Sequence, residues 1–258
     1  MLVLLLIASL LHTTPVVKDI LTLVAVPVSR LDDPGWKARH EAKLQELQEK
    51  SSKPIELLLL GDSITVSYEL TGPDPLHDYR GVWRRYYADR HVLNLGFSGD
   101  GTQNLLWRLK NGEIFGLEPK VALVLIGTND IGWLSRTAAD TVDGINSVVT
   151  ELHRRLPTTT ILLVGILPSD RGPAVRQATD EINAALAARY DEGSAPNVVY
   201  RDVSSAFVTN GRLDISLFTD PQKAPPEPAL HPTPEGQARM AAALEPTLSR
   251  LLGDACRC

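Results

Sequence analysis

One stretch limits the fold more than any other. The apolar run Ile55-Glu56-Leu57-Leu58-Leu59-Leu60 stops at Gly61-Asp62-Ser63-Ile64-Thr65. A short apolar run closed by turn residues reads as a buried strand. A strand that ends in a tight turn carries the next side chain to the edge of its sheet. In open α/β sheets that edge is where ligands bind. Ser63 is therefore the first residue to test for chemistry.

The same pattern recurs along the chain. Apolar runs at 91–95, 121–126, 160–166 and 197–203 read as further strands. Helical stretches are expected at 36–50, 82–89, 102–110, 138–156, 174–190 and 234–252. In the first of these Leu44 and Leu47 are the expected inner stripe. Asn111-Gly112 ends the third, and Pro234 opens the last at a position that tolerates proline. Five apolar strands alternating with helices predict an α/β fold, a five-stranded parallel sheet covered on both faces. Glycine-rich loops follow the strands that end near residues 60, 95 and 126. In a parallel sheet these loops share one edge, which brings Ser63, Gly99 and Asn129 together.

Composition sets the outer limits. The chain has 258 residues, 43% of them hydrophobic and 22% charged, ordinary for a protein with a substantial core. The formal net charge of −5 comes without a basic stripe, which argues against nucleic acid as a partner. The pairs Arg84-Arg85 and Arg154-Arg155 read as solvated helix faces. Cys256 and Cys258 lie at the C-terminus with no metal-ligand spacing, so no metal is expected. Met1 to Leu11 is apolar but too short to span a bilayer, so no stable membrane insertion is expected. It is like the apolar core of a secretory signal but lacks the basic start. Export to the periplasm or beyond is the favoured reading, against a disordered leader or a misassigned start. The expected organisation is a leader and linker at 1–31, one folded domain at 32–252 and a tail at 253–258.

A serine hydroxyl is a poor nucleophile unless a base takes its proton. Attack on a carbonyl creates an oxyanion that needs positioned donors. The sequence has a candidate for each task. Ser63 is the nucleophile. The backbone N–H groups of Ser63 and Gly99 and the Asn129 side chain are oxyanion donors. His231, in a proline-flanked loop before the last helix, is the base. Asp62 is expected to hold the turn, Asp100 and Asp130 to be turn residues, and Trp107 to pack its helix. Gly96-x-x-Gly99-x-Gly101 lacks the Lys-Ser/Thr ending of a phosphate loop. Phe115, Leu217 and Phe218 are candidate pocket walls by position alone.

Gly61-Asp62-Ser63, Gly99, Gly127-Thr128-Asn129 and Leu230-His231-Pro232 resemble, in order, the four blocks of the SGNH (GDSL-type) hydrolases. The runs Asn94 to Thr102 and Leu106 to Glu113, with Trp36 and Arg39-His40-Glu41 ahead of them, are similar to the platelet-activating-factor acetylhydrolase catalytic subunits and their bacterial relatives. The similarity covers roughly residues 32–252 and implies a flavodoxin-like three-layer α/β/α sandwich. It also implies a serine esterase that needs no cofactor and takes a small acyl ester as substrate. Acetylated carbohydrate is the expected substrate if the chain is exported, and a small lipid or metabolite ester if it is not. A homodimer is one oligomeric state left open. Thr65 stands where the second glycine of a Gly-x-Ser-x-Gly elbow would be, so this is not that elbow.

The family places an aspartate three residues before the histidine, and here that position is Pro228. Three arrangements remain: Glu227 reaches the ring, Asp220 reaches it from farther back, or the Pro228 carbonyl orients it. The last, a Ser–His dyad, is the one expected. A binding-only protein and an acyltransferase to sugar hydroxyls are the alternatives to hydrolysis.

Overall fold

A computed structural model describes residues 26–49, 54–191 and 193–258. The leader and the question of export fall on residues 1–25, outside the described residues. Helix α1 (Pro34–Glu49) leads into β1 (Leu57–Gly61), a one-turn α2 (Ser63–Val66), α3 (Arg80–Tyr86) and β2 (Val92–Gly96). Then come α4 (Thr102–Lys110), β3 (Val121–Leu125), the short α5 (Thr128–Gly132), α6 (Ala138–Arg155) and β4 (Thr160–Val164). Helix α7 (Pro173–Arg189) and β5 (Val198–Arg201) complete the main sheet. A small hairpin, β6 (Val208–Thr209) and β7 (Arg212–Leu213), precedes the closing α8 (Pro234–Leu252).

The five main strands are parallel, in the order β2-β1-β3-β4-β5. This is the doubly wound flavodoxin-like order, in which the chain reverses direction across the sheet beside β1. Side chains alternate between the two faces. Leu58 and Leu60 point into one apolar layer, with Leu105 and Leu109 of α4, Ile145 and Val148 of α6 and Ile182 of α7. Leu57 and Leu59 point into the other, with Val82 of α3 and Met240, Leu244 and Leu248 of α8. Every residue of β1 is buried, so neither face tolerates a polar residue there.

The register explains why the loops converge. Gly61 pairs with Gly96 on one side and with Leu125 on the other. All three strands end at one level, and the loops beyond them leave from one edge. A Cβ on Gly61 would collide with the Thr65 hydroxyl and the Leu125 carbonyl, so the chain turns sharply into α2 only with glycine there.

Three departures from the sequence reading concern packing. The inner stripe of α1 runs through Trp36, His40 and Lys43, with Leu47 partly buried against the core, and Leu44 is only half-buried. Residues 26–31, expected as part of the leader and linker, are tied to the body. The Val28 N–H donates to the Gln103 carbonyl, and the Asn104 amide donates to the Val28 carbonyl. The end of the tail is also pinned. The Arg257 N–H donates to Glu245, and Cys256 is bridged to Cys258. Among the described residues no helix is long and apolar enough to cross a membrane.

Candidate active site

Ser63 is the first residue of α2. Asp62 caps that helix, its Oδ1 accepting the Ile64 N–H at 2.9 Å, so it holds the turn as expected. Its other oxygen, Oδ2, is buried and has no hydrogen-bond partner among the described residues. Burial pushes the Asp62 carboxyl up to about 7, against the Ile64 hydrogen bond and the nearby His231. The first N–H groups of a helix lack intrahelical acceptors. The Ser63 N–H accordingly makes no hydrogen bond among the described residues.

The Ser63 hydroxyl lies 3.0 Å from His231 Nε2. The other ring nitrogen, Nδ1, lies 2.8 Å from Asp220 Oδ1. This corrects the expected dyad. No hydrogen bond joins the Pro228 carbonyl to the ring among the described residues. The Glu227 carboxylate is exposed and is held by Lys223 at 2.7 Å. Asp220 reaches the ring because the loop folds back on itself. It opens a 3₁₀ turn, Asp220–Gln222, and its carbonyl accepts the Glu227 N–H. Its Oδ2 then accepts the backbone N–H groups of Leu230 and His231. Burial alone would raise the Asp220 carboxyl. The hydrogen bonds from the His231 ring, the His231 backbone and Lys223 together outweigh burial and hold it well below the usual carboxylate range.

The loop is anchored at both ends. The Thr219 N–H donates to the His231 carbonyl, and the Thr233 N–H donates to the Leu217 carbonyl. The buried Tyr79 hydroxyl donates to the Pro232 carbonyl at 2.7 Å.

Gly99 and Asn129 face the same cleft as Ser63 and His231. Gly99 has φ +78°, and a Cβ there would lie 2.9 Å from Arg30 Nη1. Glycine is therefore favoured there by the left-handed backbone conformation. Asn129 Nδ2 donates one N–H to the Asp100 carbonyl at 2.9 Å, which leaves its second N–H free.

Beneath this edge lies a buried charge network that the sequence did not reveal. Arg108 is fully buried. It pairs with Asp100 at 2.8 Å and Glu113 at 2.5 Å, and donates to the carbonyls of Leu95 and Gly61. Its guanidinium stacks 3.9 Å from the centre of Phe97. Asp100 also accepts from Trp36 Nε1 at 2.7 Å. Asp130 accepts from the Thr102 backbone and hydroxyl. Asp100 and Asp130, expected as turn residues, thus fasten the loops after β2 and β3 to helices α1 and α4. Trp107 packs beside Trp36 and His40, as expected for a helix-packing aromatic.

The cleft encloses about 870 Å³. Val28, Arg30, Trp133, Leu134 and Arg171 contribute to its walls. None of Phe115, Leu217 and Phe218 does. Leu217 and Phe218 are sealed into the core under α8, and Phe115 lies under Arg155 on another surface. A hydroxyl, an imidazole and a carboxylate in sequence, beside free N–H donors, can take a proton from a nucleophile and stabilise an oxyanion.

Residues 59–239 match the model of the GDSL-like lipase/acylhydrolase family. The chain is 32% identical over 177 residues to platelet-activating factor acetylhydrolase IB subunit alpha2 of Gallus gallus, covering 68% of this chain and 70% of that one. It is 29% identical over 222 residues to the Homo sapiens alpha2 subunit, covering 85% and 86%. Among solved structures, a GDSL-like lipase from Bacteroides thetaiotaomicron superposes with a TM-score of 0.60 at 19% identity, covering 83% of this chain and 97% of that one. A carbohydrate esterase family 3 protein from Talaromyces cellulolyticus superposes with a TM-score of 0.53 at 19% identity, covering 78% and 99%. The solved structures share the fold, and the family model spans every residue that lines the cleft except Val28 and Arg30. On this sequence match the chain belongs to the GDSL-like lipase/acylhydrolase family and is a carboxylic ester hydrolase.

Proposed function

We propose that the chain is a serine esterase for short acyl esters, acetyl above all, carried by a carbohydrate, a lipid or a small metabolite. The observation that carries this reading is the unbroken contact from Ser63 Oγ through the His231 ring to Asp220, opening onto one cleft. The acetyl preference rests on the relatives, which are named as acetylhydrolases.

His231 Nε2 takes the Ser63 proton as Oγ attacks the ester carbonyl. The oxyanion accepts from the Ser63 N–H, the Gly99 N–H and the Asn129 side chain. The tetrahedral intermediate collapses, and the imidazolium gives its proton to the departing alkoxide. Water then attacks the acyl-Ser63 ester with the same histidine as base, releasing the acid and regenerating Ser63. Asp220 holds the ring in the tautomer whose Nε2 is free to accept, and its charge stabilises the imidazolium.

The test is a panel of p-nitrophenyl esters from C2 to C8, with wild type and Ser63→Ala. Turnover by wild type that peaks at the shortest chain and vanishes in the variant is the expected result. Labelling of wild type, but not the variant, by a fluorophosphonate would accompany it. Equal turnover by both proteins would overturn the reading. Addition of a sugar alcohol separates hydrolysis from acyl transfer, which would yield the sugar ester.

A further inference from the structure

Two arginines line the cleft, and they are not equivalent. Arg30 is already paired, with Asp33 at 2.9 Å and Asp100 at 3.4 Å. Arg171 has no carboxylate within ion-pair distance among the described residues. Its nearest acidic neighbours, Asp62 and Asp220, act on it only through space. Its partners are neutral: Nε donates to the Ser169 hydroxyl at 3.2 Å, and both terminal nitrogens donate to the Thr128 carbonyl at 3.3 Å. A guanidinium has five N–H donors. Three are used, and one remains on each terminal nitrogen.

The placement of this side chain is built into the fold. Arg171 is half-buried, and burial acts against its charge. The guanidinium rests against Gly132, the last residue of α5, where a Cβ would overlap it. The Thr128 carbonyl that it grips belongs to the residue before Asn129. Arg171 therefore sits beside the proposed oxyanion donor, with a positive charge that no carboxylate among the described residues pairs directly. The acidic residue Glu227 on the cleft wall is already occupied by Lys223. A half-buried, unneutralised guanidinium with spare donors in a substrate cleft is suited to bind an anion.

Building on the esterase reading, we infer that Arg171 is a specificity-determining residue and that the preferred ester bears an anionic group, a carboxylate or phosphate, which this guanidinium binds. The charge can be carried by the acyl half or by the alcohol half, and the test separates the two.

Two matched pairs serve as probes. For the alcohol half they are 3-carboxy-4-nitrophenyl acetate and 4-nitrophenyl acetate. For the acyl half they are 4-nitrophenyl hemisuccinate and 4-nitrophenyl butyrate. Wild type is expected to favour the charged member of one pair by tenfold or more in kcat/KM, mainly through KM, and added salt should shrink the preference. Arg171→Gln should erase the preference by slowing the charged member at least about fivefold more than the neutral one. Arg171→Lys should restore part of it. The inference fails if wild type shows no preference in either pair, if Arg171→Gln keeps one, or if that variant slows both members equally. Should Arg171→Gln not fold, the Lys variant is compared with wild type for inhibition of 4-nitrophenyl acetate hydrolysis by benzoate and benzamide. Benzoate no stronger than benzamide against wild type overturns the inference. Ser63→Ala controls the underlying reading: turnover that persists there sinks the esterase mechanism, whereas Ser63-dependent turnover with no charge preference sinks only the role of Arg171.

Discussion

The two halves of the cleft are built by different means. Ser63, Gly99 and Asn129 project from the ends of β1, β2 and β3, whose register is fixed by neighbouring strands. Arg108, Asp100 and Asp130 lock the loops beyond those strands from below. His231 is framed by loop contacts instead. It lies in an irregular loop between the hairpin and α8, and one carboxylate, Asp220, fixes both its backbone and its ring. The half that bears the proposed nucleophile is thus held by strand register and buried ion pairs, and the half that bears the proposed base by loop hydrogen bonds centred on Asp220. Damage to the first should appear as lost stability, and damage to the second as lost rate.

The largest effect tests the base half. Asp220→Asn should lower kcat by orders of magnitude, about 10⁴ by analogy with the serine protease triad, with far-ultraviolet circular dichroism unchanged. The same residue contributes to stability in acid. Its folded carboxyl titrates below the unfolded one, so its contribution is complete above the ordinary carboxylate range and is lost as pH falls through and below that range. The Asn variant should lack this share of the acid destabilisation. A fall in melting temperature with kcat retained would reverse the contrast between the halves.

Next is Asn129→Ala, expected to cost about 10²-fold to 10³-fold in kcat, the range for one oxyanion donor. Loss of KM alone would argue against that role. Arg108→Met should do the opposite of Asp220→Asn. It leaves Asp100 and Glu113 buried without their partner, a change worth about 3–5 kcal/mol. Melting temperature should drop by roughly 10 °C, at 2–4 °C per kcal/mol for a domain of this size. An unchanged melting curve would remove the frame assigned to that half.

A smaller test uses Asp62, whose carboxyl titrates at about 7 when folded and 3.8 as its unperturbed value. Between these values the folded chain keeps a proton that the unfolded chain releases, so stability declines as pH rises from about 4 to about 7. Asp62→Asn keeps the capping oxygen and should flatten that slope, as urea melts at several pH values would show. The smallest effect is expected for Glu227→Gln. Its exposed pair with Lys223 lies beside the cleft but off the ring, so kcat should change less than about twofold and stability by under about 0.5 kcal/mol. A large fall in kcat would move the histidine's partner from Asp220 to Glu227.

The contrast also explains what the sequence made legible. Strand and helix periodicity identified five strands, six long helices and the edge on which Ser63, Gly99 and Asn129 meet. The one-turn helices at Ser63–Val66 and Thr128–Gly132 are too short to show a period. Asp220 was one of three candidates because its tie to His231 depends on how eleven residues of loop fold, and no local pattern encodes that path. Arg171 stands in Ser169-Asp170-Arg171-Gly172, which reads as an ordinary polar turn. Only the cleft shows that its charge has no carboxylate beside it. Nothing in the α4 sequence marks Arg108 as buried, since its carboxylate partners Asp100 and Glu113 lie in the turns on either side of the helix and not at helical spacing.

The docking of Val28 and Arg30 on the rim has a practical consequence for attaching other molecules to this enzyme. A peptide joined at Val26 would leave from the mouth of the cleft. A short flexible linker there holds its cargo at an effective concentration on the order of millimolar, enough for a weak ligand to occupy the site. The opposite end offers different geometry. Arg257 and Asp254 are fastened to Asp89 and Arg90, just before β2, at the end of the sheet away from the catalytic loops. A C-terminal tether on a surface would therefore leave the cleft facing solution, whereas one joined directly at Val26 would press it against the support.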